Sequence, residues 1–146
     1  MEFSINQKDK NKQYIKRIGA YAIIKNNENL IAIVKTNTGH FLPGGGIKNG
    51  ESLLTCLKRE CIEEIGAEIT ILNKFARGNF YFYSTIFKIN IESSGHFFIC
   101  KIDKYLDVIK EVDHELIWLD KKKAIQLLYL ENQKEAIRIF KNKEYD

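Results

Sequence analysis

The stretch "LPGGGIKNGESLLTCLKRECIEEIGA", residues 42–67, sets the organisation of the chain around it. It opens on the only proline and a run of three glycines, a loop composition that leaves backbone amides and carbonyls exposed. Residues 51–65 then have helical periodicity, with Asn49 or Ser52 as the N-cap and Gly66 as the C-terminal stop. Each helical residue advances about 100° around the axis. With Glu60 at zero, Glu64 falls near +40° and Glu63 near −60°, so three carboxylates share an arc of roughly 100°. Leu53, Cys56 and Leu57 occupy the same side of that wheel, whereas Thr55 and Lys58 form the polar back.

A surface helix normally places its charges opposite the apolar stripe. Like charges four residues apart cost a helix about 0.2–0.5 kcal/mol per pair, and partial burial of a carboxylate adds to that. Oxygen-rich side chains turned towards one spot are what a hard divalent cation requires. Magnesium suits such a site because it keeps some waters and takes other ligands from phosphate. Taken alone, the glutamates fit this reading and a salt-bridged surface, with Arg59 meeting Glu63, equally well. The glycines shift the balance: Gly44, Gly45 and Gly46 bring backbone close to a ligand, the Gly44 carbonyl offers another oxygen, and a loop entering a helix presents amides to phosphate.

In order, the stretch contains Gly45, five residues, Glu51, seven residues, Arg59 and Glu60, then Glu63, Glu64 and Gly66. This resembles the Nudix box, the signature of hydrolases that cleave nucleoside diphosphates linked to another moiety. All seven fixed positions match; Cys61 and Ala67 stand where the family usually carries a bulky aliphatic residue. The resemblance implies an α/β/α sandwich with a mixed β-sheet and a single domain over residues 1–146. It also implies Mg²⁺, with Mn²⁺ able to substitute, bound by Glu60, Glu64, Glu63 and the Gly44 carbonyl. Arg59 would orient the glutamates and Glu51 would brace the loop–helix junction, roles that shade into catalysis. The base that activates water varies in the family; in "EVDHELIW", residues 111–118, Glu115 is the first choice among Glu111, Asp113, His114 and Glu115. A catalytically silent nucleotide-binding module is the alternative, although such a module is expected to have lost a box glutamate.

The rest of the sequence fits this frame. At 146 residues, with 45% hydrophobic and 29% charged side chains, the chain suits one domain with its own core. "YIKRIGAYAIIK" (14–25) and "LIAIVK" (30–35) predict a β-hairpin turning on the asparagines between them. "AEITIL" (67–72), "NFYFYSTIFKI" (79–89) and "HFFICKI" (96–102) predict strands, with "NIESSG" (90–95) as a turn. "ELIWL" (115–119) reads as a further strand, and residues 120–140 as one or two closing helices. Residues 1–12 read as a loose arm or an edge.

A net charge of +4, without a dense basic stripe, argues against nucleic acid and is compatible with small polyanions. Arg17, Lys35 and Arg77 are candidate phosphate contacts. One face of the strand at residues 79–89, Phe80 with Phe82 or Tyr81 with Tyr83, is a candidate to stack on a base, the other being core. Trp118 reads as core. Three cysteines without CxxC spacing, no signal-like segment and no apolar run of membrane length predict a reduced, cytoplasmic setting away from membranes. The resemblance also allows a homodimer. Nothing in the sequence separates one nucleotide-type substrate from another.

Overall fold

The computed structural model describes residues 1–108 and 110–141; position 109 and residues 142–146, which belong to the span expected to form one domain, lie outside the described residues. Eight strands and three helices follow in the order β1 (Glu2–Ser4), β2 (Ile15–Ile24), β3 (Ile31–Thr36), β4 (Gly39–Phe41), β5 (Gly44–Gly46), α1 (Leu53–Ile65), β6 (Ala67–Ser84), β7 (Ile89–Tyr105), β8 (Glu115–Leu119), α2 (Lys121–Leu127) and α3 (Glu131–Ile139). A mixed five-stranded sheet runs β1-β6-β7-β2-β5, and a three-stranded sheet runs β4-β3-β8. No helix among the described residues is long and apolar enough to cross a membrane.

The strict two-residue period of a strand explains the layering. Ala20, Ala22 and Ile24 of β2, Ala32 and Val34 of β3, and Phe98 and Cys100 of β7 pack against Cys56, Leu57, Cys61 and Ile65 of α1. Their neighbours Ile23, Ile31, Ile33, Phe97 and Ile99 point the other way, into a second core with Ala124, Leu128, Ala136, Ile137 and Phe140. Continuous apolar runs in β2, β3 and β7 therefore mean burial on both faces. Each fully buried large side chain, such as Leu57 or Phe97, contributes about 1.5–3 kcal/mol. The result is the expected α/β/α sandwich.

Helix α1 is capped as its sequence predicts. The Ser52 hydroxyl accepts from the Thr55 amide, and Gly66 ends the helix in the left-handed region at φ 61°. The closing segment forms two helices, and Trp118 packs partly buried against the α1-side core.

Three expectations are corrected. Residues 90–95 are not a turn: β6 and β7 form one long hairpin closed at residues 85–88, where the Lys88 amide donates to the Ser84 carbonyl and Lys88 has φ 57°. "NIESSG" instead lies between β2, which it meets in parallel, and β6. Those two sets of backbone partners outweigh its turn-like composition. Secondly, β2 and β3 touch through one bridge, Lys25 to Ile31, and then separate into different sheets. Asn26 does organise the connection, its Oδ1 accepting from the Glu28 and Leu30 amides. Thirdly, neither Phe80 with Phe82 nor Tyr81 with Tyr83 joins a core; the two phenylalanines stack on each other instead, with centroids 5.1 Å apart. The amino-terminal segment is an edge, with β1 parallel to β6 at Arg77–Asn79.

Candidate active site

The glycine run, expected as a loop, is instead strand β5, antiparallel to Gly19–Tyr21 of β2, and at Gly44 and Gly45 it lies where side chains would collide. A Cβ on Gly44, whose φ is 144°, would sit 2.1 Å from the Ala20 carbonyl oxygen, and one on Gly45 would sit 2.7 Å from the Glu60 carboxyl carbon. Without side chains, the loop backbone lies directly on the carboxylates of α1. The Gly44 amide donates to Glu64 Oε1 at 2.8 Å. The Gly46 carbonyl accepts from Arg59 Nη2 at 3.3 Å.

Arg59 organises the rest. It meets Glu51 through two bonds, Nε to Oε2 at 2.7 Å and Nη2 to Oε1 at 2.9 Å, the paired geometry in which a guanidinium is strongest. Its Nη1 donates to Glu60 Oε1 at 2.8 Å and to Glu63 Oε2 at 3.1 Å. Glu51 Oε1 also accepts from the Lys48 amide at 2.9 Å, fastening the loop to the helix. The Arg59–Glu63 contact of the surface reading is thus present, inside a larger network. These bonds hold the Glu51 carboxyl down at about 2.

Glu64 is 8% exposed, and burial pushes its carboxyl up to about 8, opposed by the Gly44 amide and reinforced by Glu60, Glu111 and Glu63. Burial likewise raises Glu60, with Arg59 opposing. From the loop before β8, Glu111 joins the group: its amide donates to the Glu63 carbonyl at 3.0 Å. His114 Nδ1 stands 3.2 Å from Glu111 Oε2 and 3.7 Å from Glu64 Oε2, yet is buried without a hydrogen-bond partner.

Glu115, by contrast, is exposed on β8 opposite Lys35. Arg17 lies over the Phe87 ring at 5.1 Å beside a shallow groove that reaches Gly46, and Arg77 pairs with Glu2 at the β1 edge. Neither arginine lines the cavity that opens beside Glu64. That cavity, about 310 Å³, is bounded by Tyr21, Phe41, Gly44, Gly45, His114 and Gln133, among others. Phe41 and Gln133 carry no local sequence signal for a site; long-range folding brings them there.

Among the described residues, no three His, Cys, Asp or Glu side chains are already drawn together as a metal cage; Arg59 and the Gly44 amide hold the acceptor oxygens instead. The donor set still fits a hard divalent cation. Glu51, Glu60 and Glu63 share one guanidinium, and Glu64 and Glu111 stand close enough to interact electrostatically, so carboxylates outnumber the cationic groups they meet.

Comparison with known proteins identifies the family. The sequence model of the NUDIX domain matches residues 15–140. No curated protein matches the chain in sequence. In fold it is similar to a NUDIX hydrolase from Nitrosomonas europaea, at 13% identity and TM-score 0.69, over 85% of this chain and 87% of that one. The MutT protein from Methanosarcina mazei Go1 aligns at 19% identity and TM-score 0.66, over 92% and 99%. An ADP-ribose pyrophosphatase from Streptococcus suis aligns at 17% identity and TM-score 0.60, over 84% of each chain. With its box complete and the domain match spanning both cores, the chain belongs to the Nudix family and is a hydrolase of phosphoric anhydrides.

Proposed function

We propose that the protein is a Mg²⁺-dependent pyrophosphohydrolase of nucleotide-type substrates. The observation that carries this reading is the excess of carboxylates around Arg59, set beside a cavity floored by glycine backbone. Glu60, Glu63 and Glu64 would hold the metal, with the Gly44 carbonyl as a further oxygen and Mn²⁺ able to substitute. Bound there, the ion supplies charge neutralisation for the diphosphate and makes water a better nucleophile at neutral pH.

The remaining work falls to the chain. Arg59 keeps Glu60 and Glu63 facing the site while anchored on Glu51, which braces the loop. Gly44 and Gly45 let the diphosphate approach the backbone, and Arg17 stands on the groove beside Gly46. Glu111 is the loop carboxylate that reaches the charge cluster, so the proton of the attacking water is assigned to it in preference to Glu115. His114 Nδ1 stands 3.2 Å from the Glu111 carboxylate. Positioning and electrostatic stabilisation account for most of the rate in such a site.

The test is release of phosphate and pyrophosphate from a nucleotide panel with Mg²⁺, comparing wild type with Glu64→Gln, alongside calorimetric Mg²⁺ binding. Turnover and metal binding, both lost in the variant, support the reading. Full activity in Glu64→Gln rules it out.

A further inference from the structure

Gln133 is fully buried and lines the same cavity as Glu64. Its Oε1 accepts from the Leu42 amide at 2.8 Å. That bond fixes the orientation of the side-chain amide, because the flipped rotamer would set NH₂ against N–H. Nε2 is consequently presented as a donor, and it is buried with no acceptor in the protein. A buried donor without a partner costs about 1–3 kcal/mol. Such a group at the wall of a small-molecule cavity points to a ligand that completes it.

The surroundings define that ligand's chemistry. The lining combines charged and polar groups, Glu64, Asp113 and His114 among them, with apolar surface from Phe41, Leu42 and Leu130. Phe41 packs on Tyr129 with ring centroids 5.8 Å apart and offers an aromatic wall for a flat heterocycle. In most settings a glutamine accepts as readily as it donates and so tolerates either kind of base edge. Here the acceptor is committed to Leu42, and the donor alone remains.

We infer that Gln133 selects the substrate's base by donating from Nε2 to a ring carbonyl, so that bases with a carbonyl at purine C6 or pyrimidine C4 are preferred over bases with an amino group at that position. The inference takes from the proposed function only that the ligand is a nucleotide. Inosine and uridine compounds present an acceptor where adenosine and cytidine compounds present NH₂, and two donors facing each other repel. A site committed to one hydrogen bond rejects the mismatched analogue because a buried polar group is left unpaired.

Metal-free calorimetry with monophosphates tests this apart from turnover. IMP and UMP are expected to bind wild-type protein about tenfold or more tightly than AMP and CMP, respectively. Gln133→Glu keeps an oxygen towards the Leu42 amide and replaces the donor; it is expected to abolish or reverse the IMP-over-AMP ratio. If that variant does not fold, as read by its thermal melt, the wild-type pairs decide alone. Equal binding, tighter AMP, or no binding of either nucleotide overturns the assignment. Equal binding alongside Mg²⁺-dependent hydrolysis of ITP leaves the hydrolase reading standing without Gln133's role. Selective IMP binding with no hydrolysis of any nucleotide does the reverse.

Discussion

Gly44 and Glu64, twenty residues apart, are joined by one hydrogen bond of 2.8 Å from backbone amide to buried carboxylate. Through it β5 and the helix form one unit, and neither Gly44 nor Gly45 has free room for a side chain. The two neighbouring glycines are expected to fail differently. Gly44→Ala meets the Ala20 carbonyl at 2.1 Å with a φ that L-residues avoid, and should cost about 2–4 kcal/mol of stability in chemical denaturation. Gly45→Ala displaces the end of the Glu60 side chain, which can swing away. It should melt within a few degrees of wild type while losing most Mg²⁺ affinity.

Arg59→Lys retains a positive charge but not the fork that meets Glu51 through two nitrogens while reaching Glu60 and Glu63. Steady-state kinetics should show kcat lowered about 10- to 100-fold with KM changed little, the pattern of displaced ligands. An equal fall for Lys and Ala variants would confirm that geometry, not charge alone, matters; a fully active Lys variant would refute it.

Charging Glu64 in the metal-free protein opposes folding, because burial and the neighbouring carboxylates hold its carboxyl up at about 8. Glu64→Gln should therefore melt higher than wild type without metal near pH 8. Adding Mg²⁺ at about 100 times its Kd should stabilise wild type by about 2.7 kcal/mol and leave the variant unmoved. Differential scanning calorimetry with EDTA and with Mg²⁺ reads both signs.

Glu111 and Glu115 lie four positions apart and have opposite surroundings. Glu111 faces His114 and the α1 carboxylates, whereas Glu115 lies across from Lys35 on an exposed strand. Glu111→Gln should lower kcat by about 100-fold or more, and Glu115→Gln by less than about twofold. The reverse ranking in a single-turnover assay would return the base to Glu115.

His96 makes the fold sensitive to acid. Burial first, then Lys74, Arg77 and Lys16, lower it from 6.5 to about 4 in the folded chain, with Glu2 opposing. Between those values the unfolded chain binds the extra proton, so stability is lost as pH falls from about 6.5 towards 4 and is unaffected above that window. His96→Gln should flatten this part of the Tm-versus-pH curve; an unchanged slope would exclude His96 as its source.

Helix α1 and its charge cluster were legible in the sequence because they are local. Ser52, Gly66 and the 100° arc of carboxylates all lie within fifteen residues, where a 3.6-residue period dominates. "NIESSG" misled because one of its two sets of backbone partners comes from residues 15–19, far away in sequence, and no turn propensity records either set. Gln133 was invisible for the same reason: it earns its place through a bond to Leu42 that spans 91 positions. Phe41 carried no sequence signal for a site; its contact with Tyr129, after α2, spans almost ninety positions.

The alternation of β2 and β7 between two cores also separates tasks. The groups that handle charge descend from the helix on one face of the sheet, and the amide that reads the base descends from a helix on the other. They meet at residues 42–46, where Leu42 answers to Gln133 and Gly44 to Glu64. Selectivity can therefore change by substitutions in α3 while the hydrolytic face keeps its packing. These five residues, between the layers, are the place where both kinds of change would be felt at once.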